Sequence, residues 1–235
     1  MYSFKSRVRF SEVDAKQNLT LYSILNYFQD CSIFHSEYIQ AGIDHLTSEG
    51  HAWILSSWQV IADHCPSLGD EIEVSTWAYG FRGFYGYRNF KIEDQEGRIA
   101  ACANTIWTFM DLNTKSPVRI PKHIQDAYGF EPQLPMENAP RKIRLPQNGI
   151  PCKPLTVHKF QIDTNHHMNN AQYVLMAQEY LPEQSIITQM RADYRKSAVL
   201  NDMIYPVVTH TNLQTTVALN DSDGSPYAII EFNRR

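Results

Sequence analysis

Asp163, Asn165 and His167 stand two residues apart in the densest polar stretch of the chain, Phe160-Gln161-Ile162-Asp163-Thr164-Asn165-His166-His167-Met168-Asn169-Asn170-Ala171-Gln172-Tyr173. A carboxylate, a carboxamide and an imidazole suit hydrolysis at an activated carbonyl such as a thioester, which needs an activated water and a donor for the oxyanion. A positioned general base contributes roughly 100- to 10,000-fold. An oxyanion donor contributes about 100- to 1,000-fold. Asp163 or His167 is the expected base, with Asn165 orienting water or substrate. Alternate residues of an extended strand share a face, so the three side chains are expected to converge if the backbone stays extended up to the next helix. The helix start adds amides that lack internal acceptors and carry positive partial charge, where a carbonyl oxygen can be held.

Two other readings compete for the same residues. A polar strand-to-helix cap also explains Asp163 to Asn170, and Asn169 and Asn170 suit capping and turns better than catalysis. Imidazole and carboxylate are ordinary zinc ligands, but adjacent histidines on a strand point to opposite faces and no further spaced pair follows. Neither a metal nor a cofactor is expected. The glycine series in Gly80-Phe81-Arg82-Gly83-Phe84-Tyr85-Gly86 alternates with aromatic residues and has no following lysine, which predicts a tight hairpin rather than a phosphate cradle.

The elements that position this stretch occur twice. Val13-Asp14 lies over Ile162-Asp163, and the same offset lays Gln29-Asp30 over Gln178-Glu179. Leu21, Ile24, Leu25, Phe28, Cys31 and Phe34 predict a long helix with one buried face, and Tyr173, Val174, Ala177 and Tyr180 predict its equivalent, stopped by Pro182. Strand signals from Trp53 to Ala62 lead to the turn Leu68-Gly69-Asp70 and a second strand. Met190 to Lys196 lead likewise to Leu200-Asn201-Asp202 and Ile204 to Thr211. Later hairpins match Asp94-Gln95-Glu96-Gly97 with Asp221-Ser222-Asp223-Gly224.

Pro117, Pro121, Pro132, Pro135, Pro140 and Pro146 predict an extended surface connection between the copies. The expected class is α+β, with two tandem hot-dog units, each an antiparallel sheet wrapped around a long helix. The first spans 1–135, the end of the linker 136–153, and the second, chemistry-bearing unit 154–235.

The Asp163 to Asn170 stretch resembles the Asp-x-Asn-x-His-x-Asn-Asn motif of plant and bacterial acyl-ACP thioesterases. Thr105-Ile106-Trp107-Thr108-Phe109-Met110-Asp111 with Thr114 and Ile120-Pro121, and Asp193-Tyr194-Arg195-Lys196 followed by Ser197-Ala198-Val199-Leu200, resemble the same family. With Glu12-Val13-Asp14 and its helix, the resemblance covers nearly the whole chain. It implies hydrolysis of fatty-acyl-ACP to free fatty acid and carrier protein, within fatty-acid biosynthesis, with Asp163, Asn165 and His167 at the catalytic positions. Plant members carry glutamate then cysteine where this chain has Ser197-Ala198, so a cysteine nucleophile is absent and Ser197 is left as a supporting hydrogen-bond donor. Cys65 aligns with Ser197 across the repeat, but Asn18 replaces the histidine there. The first unit is therefore expected to shape an acyl pocket, with Trp53 and Trp58 among its substrate-binding residues. An acyl-CoA thioesterase and a non-catalytic acyl-carrier-binding module are the alternatives.

Composition narrows the partners. The 235 residues carry 43% hydrophobic content and a formal charge of -4, enough for a substantial core and without a basic stripe for nucleic acid. No apolar run is long enough to span a bilayer. Cys31, Cys65, Cys102 and Cys152 are widely separated, and the start of the chain lacks an apolar signal core, so reduced thiols and a cytoplasmic location are expected. Asn18-Leu19-Thr20 fits a glycosylation pattern that carries no weight without a secretory signal. An acidic carrier protein calls for a basic docking surface, for which Arg82, Arg88, Lys115, Arg119, Lys122, Arg141, Lys142 and Arg144 are candidates. The sequence does not set the oligomeric state, a homodimer being one option.

Overall fold

The structure is a computed structural model that describes residues 1–145 and 148–235. Pro146, expected in the linker, lies outside the described residues. The chain forms two compact units. Unit 1 is Met1–Ser56 with Val60–Asn138, and unit 2 is Ala139–Arg235 with Ser57–Gln59.

Unit 1 runs β1 (Tyr2–Arg7), α1 (Leu21–Tyr38), α2 (Ile43–Ser48), β2 (His51–Ala62), β3 (Glu71–Arg82), β4 (Tyr85–Asp94), β5 (Ile99–Asp111), β6 (Ser116–Pro117) and α3 (Lys122–Tyr128). Its sheet is ordered β1-β3-β4-β5-β2, and β6 pairs with β5. Unit 2 runs β7 (Ile150–Pro151), β8 (Leu155–Thr156), α4 (Asn170–Gln178), β9 (Ile187–Tyr194), β10 (Met203–His210), β11 (Gln214–Asn220) and β12 (Pro226–Arg234). Its order, β7-β10-β11-β12-β9, repeats that of unit 1 strand for strand. The place of β1 is divided between β7 and β8, both paired with β10. Pro151 and Pro154 flank the break, where a missing amide cannot serve the ladder.

Each unit is a hot dog of the α+β class. In unit 1, Thr20 caps α1 by accepting the Ser23 amide at 3.1 Å, and Ile24, Leu25, Phe28 and Cys31 turn inward at helical spacing. Phe28 meets Phe90 of β4 with ring centroids 5.1 Å apart. Phe34, expected in that buried face, is exposed instead and packs edge-on against Phe4 of β1. The two helices are not equal in length, 18 residues against 9, and α4 ends before Tyr180 and Pro182.

The proline-rich connection is less irregular than expected. Pro117 lies in β6, and Pro121 caps α3, whose Ile124 is buried. Beyond α3 the chain straps itself to a sheet. In unit 1, Trp77 Nε1 donates to the Pro132 carbonyl at 2.8 Å and the Leu134 amide to Asn89 Oδ1 at 2.9 Å. In unit 2, Ile143 is buried against Ala218 and Ile229. Arg195 Nη2 donates to the Ile143 carbonyl at 3.1 Å, and Arg191 donates to the carbonyls of Pro140 and Lys142.

Candidate active site

Residues 163–167 form a closed loop rather than the extended segment that the two-residue spacing suggests. The Asp163 amide donates to the His167 carbonyl at 2.8 Å, the His166 amide to the Asp163 carbonyl at 3.1 Å, and Ile162 bridges to Met168. Asp163 Oδ1 accepts the Asn165 amide at 2.8 Å and the His167 amide at 3.4 Å. A short acceptor side chain gives the backbone a local alternative to the strand, and His166 takes the left-handed conformation, φ 61°, that the turn requires. Convergence by strand alternation therefore fails, and the strand premise from which His166 and His167 were expected to face opposite ways does not hold.

The same loop is built in unit 1. Asp14 Oδ1 accepts the amides of Lys16 at 2.8 Å and Asn18 at 2.9 Å, the Asp14 amide donates to the Asn18 carbonyl, and Gln17 has φ 64°. The aspartate's turn-holding role thus belongs to both copies. What differs is the side chains presented: Asn165 and His167 in unit 2 stand where unit 1 has Lys16 and Asn18. Asn165, His166 and His167 are exposed, Asp163 is half-buried, and Asp163 Oδ2 has no partner among the described residues. No hydrogen bond joins the three side chains to one another.

The helix start offers less than its full set of amides. Asn169 is the cap of α4, its Oδ1 taking the Ala171 amide at 2.9 Å and its carbonyl the Gln172 amide. The Asn170 amide has no acceptor among the described residues, so it is the amide left unpaired at this end of the helix.

Ser197 comes beside the loop because the Met168 amide donates to the Ala198 carbonyl at 2.9 Å. Ser197 is exposed, whereas Ala198 is fully buried and donates its amide to the Tyr173 hydroxyl at 2.8 Å. In unit 1 the corresponding bond runs from the Leu19 amide to the Pro66 carbonyl, which places Cys65 at the position of Ser197. Tyr173 and Tyr194 are the residues that sequence reasoning left out of the site. Burial pushes the Tyr173 hydroxyl up to about 12 and Tyr194 well above its ordinary range, so both stay protonated. Tyr194 spends its proton on the Asn170 carbonyl at 2.8 Å, and the two rings meet edge-on at 5.8 Å. The available signals were Tyr173 at the end of the polar stretch and Tyr194 within Asp193-Tyr194-Arg195-Lys196. Asp193 and Arg195, from the same stretch, hold the strap at Ile143 instead of the loop.

Trp53 and Trp58 are not part of the loop. They stand five apart on β2, an odd separation that puts them on opposite faces of a regular strand. Trp53 packs with Phe81, Phe109 and Tyr128, while Trp58 is 2% exposed. Arg88, a candidate for docking, is buried at 7% exposure and cannot serve a surface. Among the described residues no group of three His, Cys, Asp or Glu side chains is placed to hold a metal.

The acyl-ACP thioesterase N-terminal domain family matches residues 1–128, and the acyl-ACP thioesterase C-terminal domain family matches residues 147–233. The chain belongs to the acyl-ACP thioesterase family. It is 24% identical, over 94% of its length, to a chloroplastic palmitoyl-acyl carrier protein thioesterase of Gossypium hirsutum, of which it covers 57%. It is 22% identical, over 90% of its length, to a chloroplastic oleoyl-acyl carrier protein thioesterase of Arabidopsis thaliana, of which it covers 64%. The chain thus spans between half and two thirds of these curated relatives. Among solved structures, an acyl-ACP thioesterase from Bacteroides thetaiotaomicron superposes with a TM-score of 0.92 at 22% identity, covering 100% of this chain and 97% of that one. The 12:0-ACP thioesterase from Umbellularia californica gives 0.89 at 19% identity, covering 100% and 96%. At these identities the structural likeness concerns the fold.

Proposed function

We propose that the chain hydrolyses fatty-acyl thioesters of acyl carrier protein to free fatty acid and carrier thiol, as a step of fatty-acid biosynthesis. The observation that carries this reading is the contrast between the duplicated loops. The same aspartate turn displays Asn165 and His167 in one unit and Lys16 and Asn18 in the other. Water attacks the thioester carbonyl carbon with Asp163 Oδ2 or His167 taking its proton. Asn165 orients water or substrate, and the Asn170 amide receives the oxyanion. The tetrahedral intermediate then collapses, the C–S bond breaks, and the proton held by the base passes to the departing thiolate. Ser197 is a supporting donor beside the loop. Unit 1 is assigned the acyl chain, with Trp53 in its aromatic cluster.

The carrier's acidic surface is matched by exposed Arg82, Lys115, Arg119, Lys142 and Arg144. Lys122 also remains a candidate, although Asp126 holds it at 3.1 Å. No helix of the described residues is long and apolar enough to cross a membrane. All four cysteines are free thiols, which fits the proposed cytoplasmic location, and cell fractionation tests it. The deciding experiment is an acyl-ACP panel with products resolved by chain length. No acid released at any length would remove the reading, and matched coenzyme A thioesters run alongside would show whether CoA is the true carrier. Ser197-Ala198, where plant members carry glutamate and cysteine, favours a second reading as a binding module, for which the panel would show binding without turnover.

A further inference from the structure

Arg88 lies on β4 in phase with Phe90 and Ile92, so its side chain enters the interior of unit 1 on the face that Phe28 of α1 covers. Its guanidinium is buried with no carboxylate partner among the described residues. Nη1 donates to His35 Nδ1 and to Thr76 Oγ1, both at 3.1 Å, and Cζ lies 5.2 Å from the Tyr128 ring centroid. Because Nδ1 accepts, the His35 proton resides on Nε2, and burial followed by the Arg88 charge holds this imidazole down to about 3, so it stays neutral. A buried cation surrounded only by neutral partners is costly to fold, and an apolar residue of similar length would fill the same space at less cost. The aromatic cluster around Trp53 adjoins it through Tyr128, whose ring lies 6.3 Å from Trp53 and 5.6 Å from His35.

We propose that Arg88 is a specificity-determining residue that receives an oxygen acceptor, a carboxylate or a hydroxyl, at the distal end of the acyl chain bound in unit 1. This rests on the assignment of the acyl chain to that unit. A methyl terminus gives the guanidinium nothing in return for displacing its surroundings, whereas an oxygen terminus supplies a further acceptor beside the neutral ones of His35, Thr76 and Tyr128. A site built around a hydrogen bond discriminates against the analogue without it far more strongly than an apolar pocket discriminates by size.

Three amide analogues of acyl-pantetheine, which cannot be hydrolysed, separate this idea from the hydrolytic reading. They share one carbon number and end in methyl, hydroxyl or carboxylate. The full chain is expected to bind the hydroxyl or carboxylate analogue at least ~10-fold more tightly than the methyl one. Arg88→Met is expected to abolish the difference while its melting temperature does not fall. Equal binding of all three by the unaltered protein overturns the proposal even if acyl-ACP is hydrolysed. So does a methyl preference, or an oxygen preference that survives in Arg88→Met. Should Arg88→Met fail to fold, the comparison in the unaltered protein decides alone. Lack of hydrolysis in the acyl-ACP panel leaves this binding result standing.

Discussion

Asp163 Oδ1 holds the amide of Asn165 at 2.8 Å, the same bond that Asp14 makes to Lys16 in the sister loop. Two roles are superposed on Asp163, and amide substitution separates them. Asp163→Asn keeps the turn acceptor but removes the charge. It is expected to retain the melting temperature while turnover falls at least ~100-fold. Asp14→Asn should leave turnover untouched. Alanine at either position removes the turn acceptor and should cost about 1 kcal/mol of stability. If the two asparagine variants lower turnover equally, the loop is architecture and the proposed base is wrong.

His167 presents an exposed ring whose side chain makes no hydrogen bond to the described residues, so its removal takes no such bond from the fold. His167→Ala is expected to lower turnover at least ~100-fold with an unchanged unfolding curve. Ser197→Ala, which deletes one exposed hydroxyl, should lower it by less than ~10-fold, the worth of a single hydrogen bond. Steady-state rates on one acyl-ACP rank the two, and the reverse order would move the chemistry from the loop to Ser197.

Gly86 passes directly beneath Trp53. A Cβ there would lie 3.0 Å from Trp53 Cη2 and 3.2 Å from Phe81 Cε1, so Gly86→Ala must displace the ring stack. Overpacking of this kind costs about 1–3 kcal/mol. If Trp53 lines the acyl pocket, the spread of released chain lengths shifts as well. A lower melting temperature with an unaltered product spread would make the cluster core alone.

What the sequence disclosed and what it hid follow from how local each cause is. The hairpin turns were legible because one aspartate makes them: Asp94 Oδ1 takes the amides of Glu96 and Arg98, and Asp221 Oδ1 those of Asp223 and Ser225. The succession of helix and strands along each copy followed from the duplicated pattern, but the order of the strands in the sheet did not. The loop at Asp163 was misread because two-residue spacing on a turn looks the same as on a strand. Arg88 passed as a surface charge although its alternation with Phe90 and Ile92 placed it inside. The strap at Ile143 was hidden because its anchors, Arg191 and Arg195, lie some 50 residues onward and act through backbone carbonyls.

His35 sets a pH dependence whose sign can be worked out. Burial first, then Arg88 and the chain's amino terminus, lower it to about 3 in the folded protein. An unfolded histidine titrates near 6.5, so between about 6.5 and 3 the unfolded chain binds a proton that the folded chain refuses. Its effect on stability is therefore absent above about pH 6.5 and grows as pH falls, by up to about 1.4 kcal/mol per pH unit. His35→Gln keeps an acceptor for Arg88 Nη1 but does not titrate. Urea unfolding in steps from neutral pH downward should show the variant losing stability less steeply than the unaltered protein, by close to one proton's worth of slope. Parallel slopes would mean that the imidazole takes up its proton inside the fold, which the adjacent guanidinium and its burial oppose.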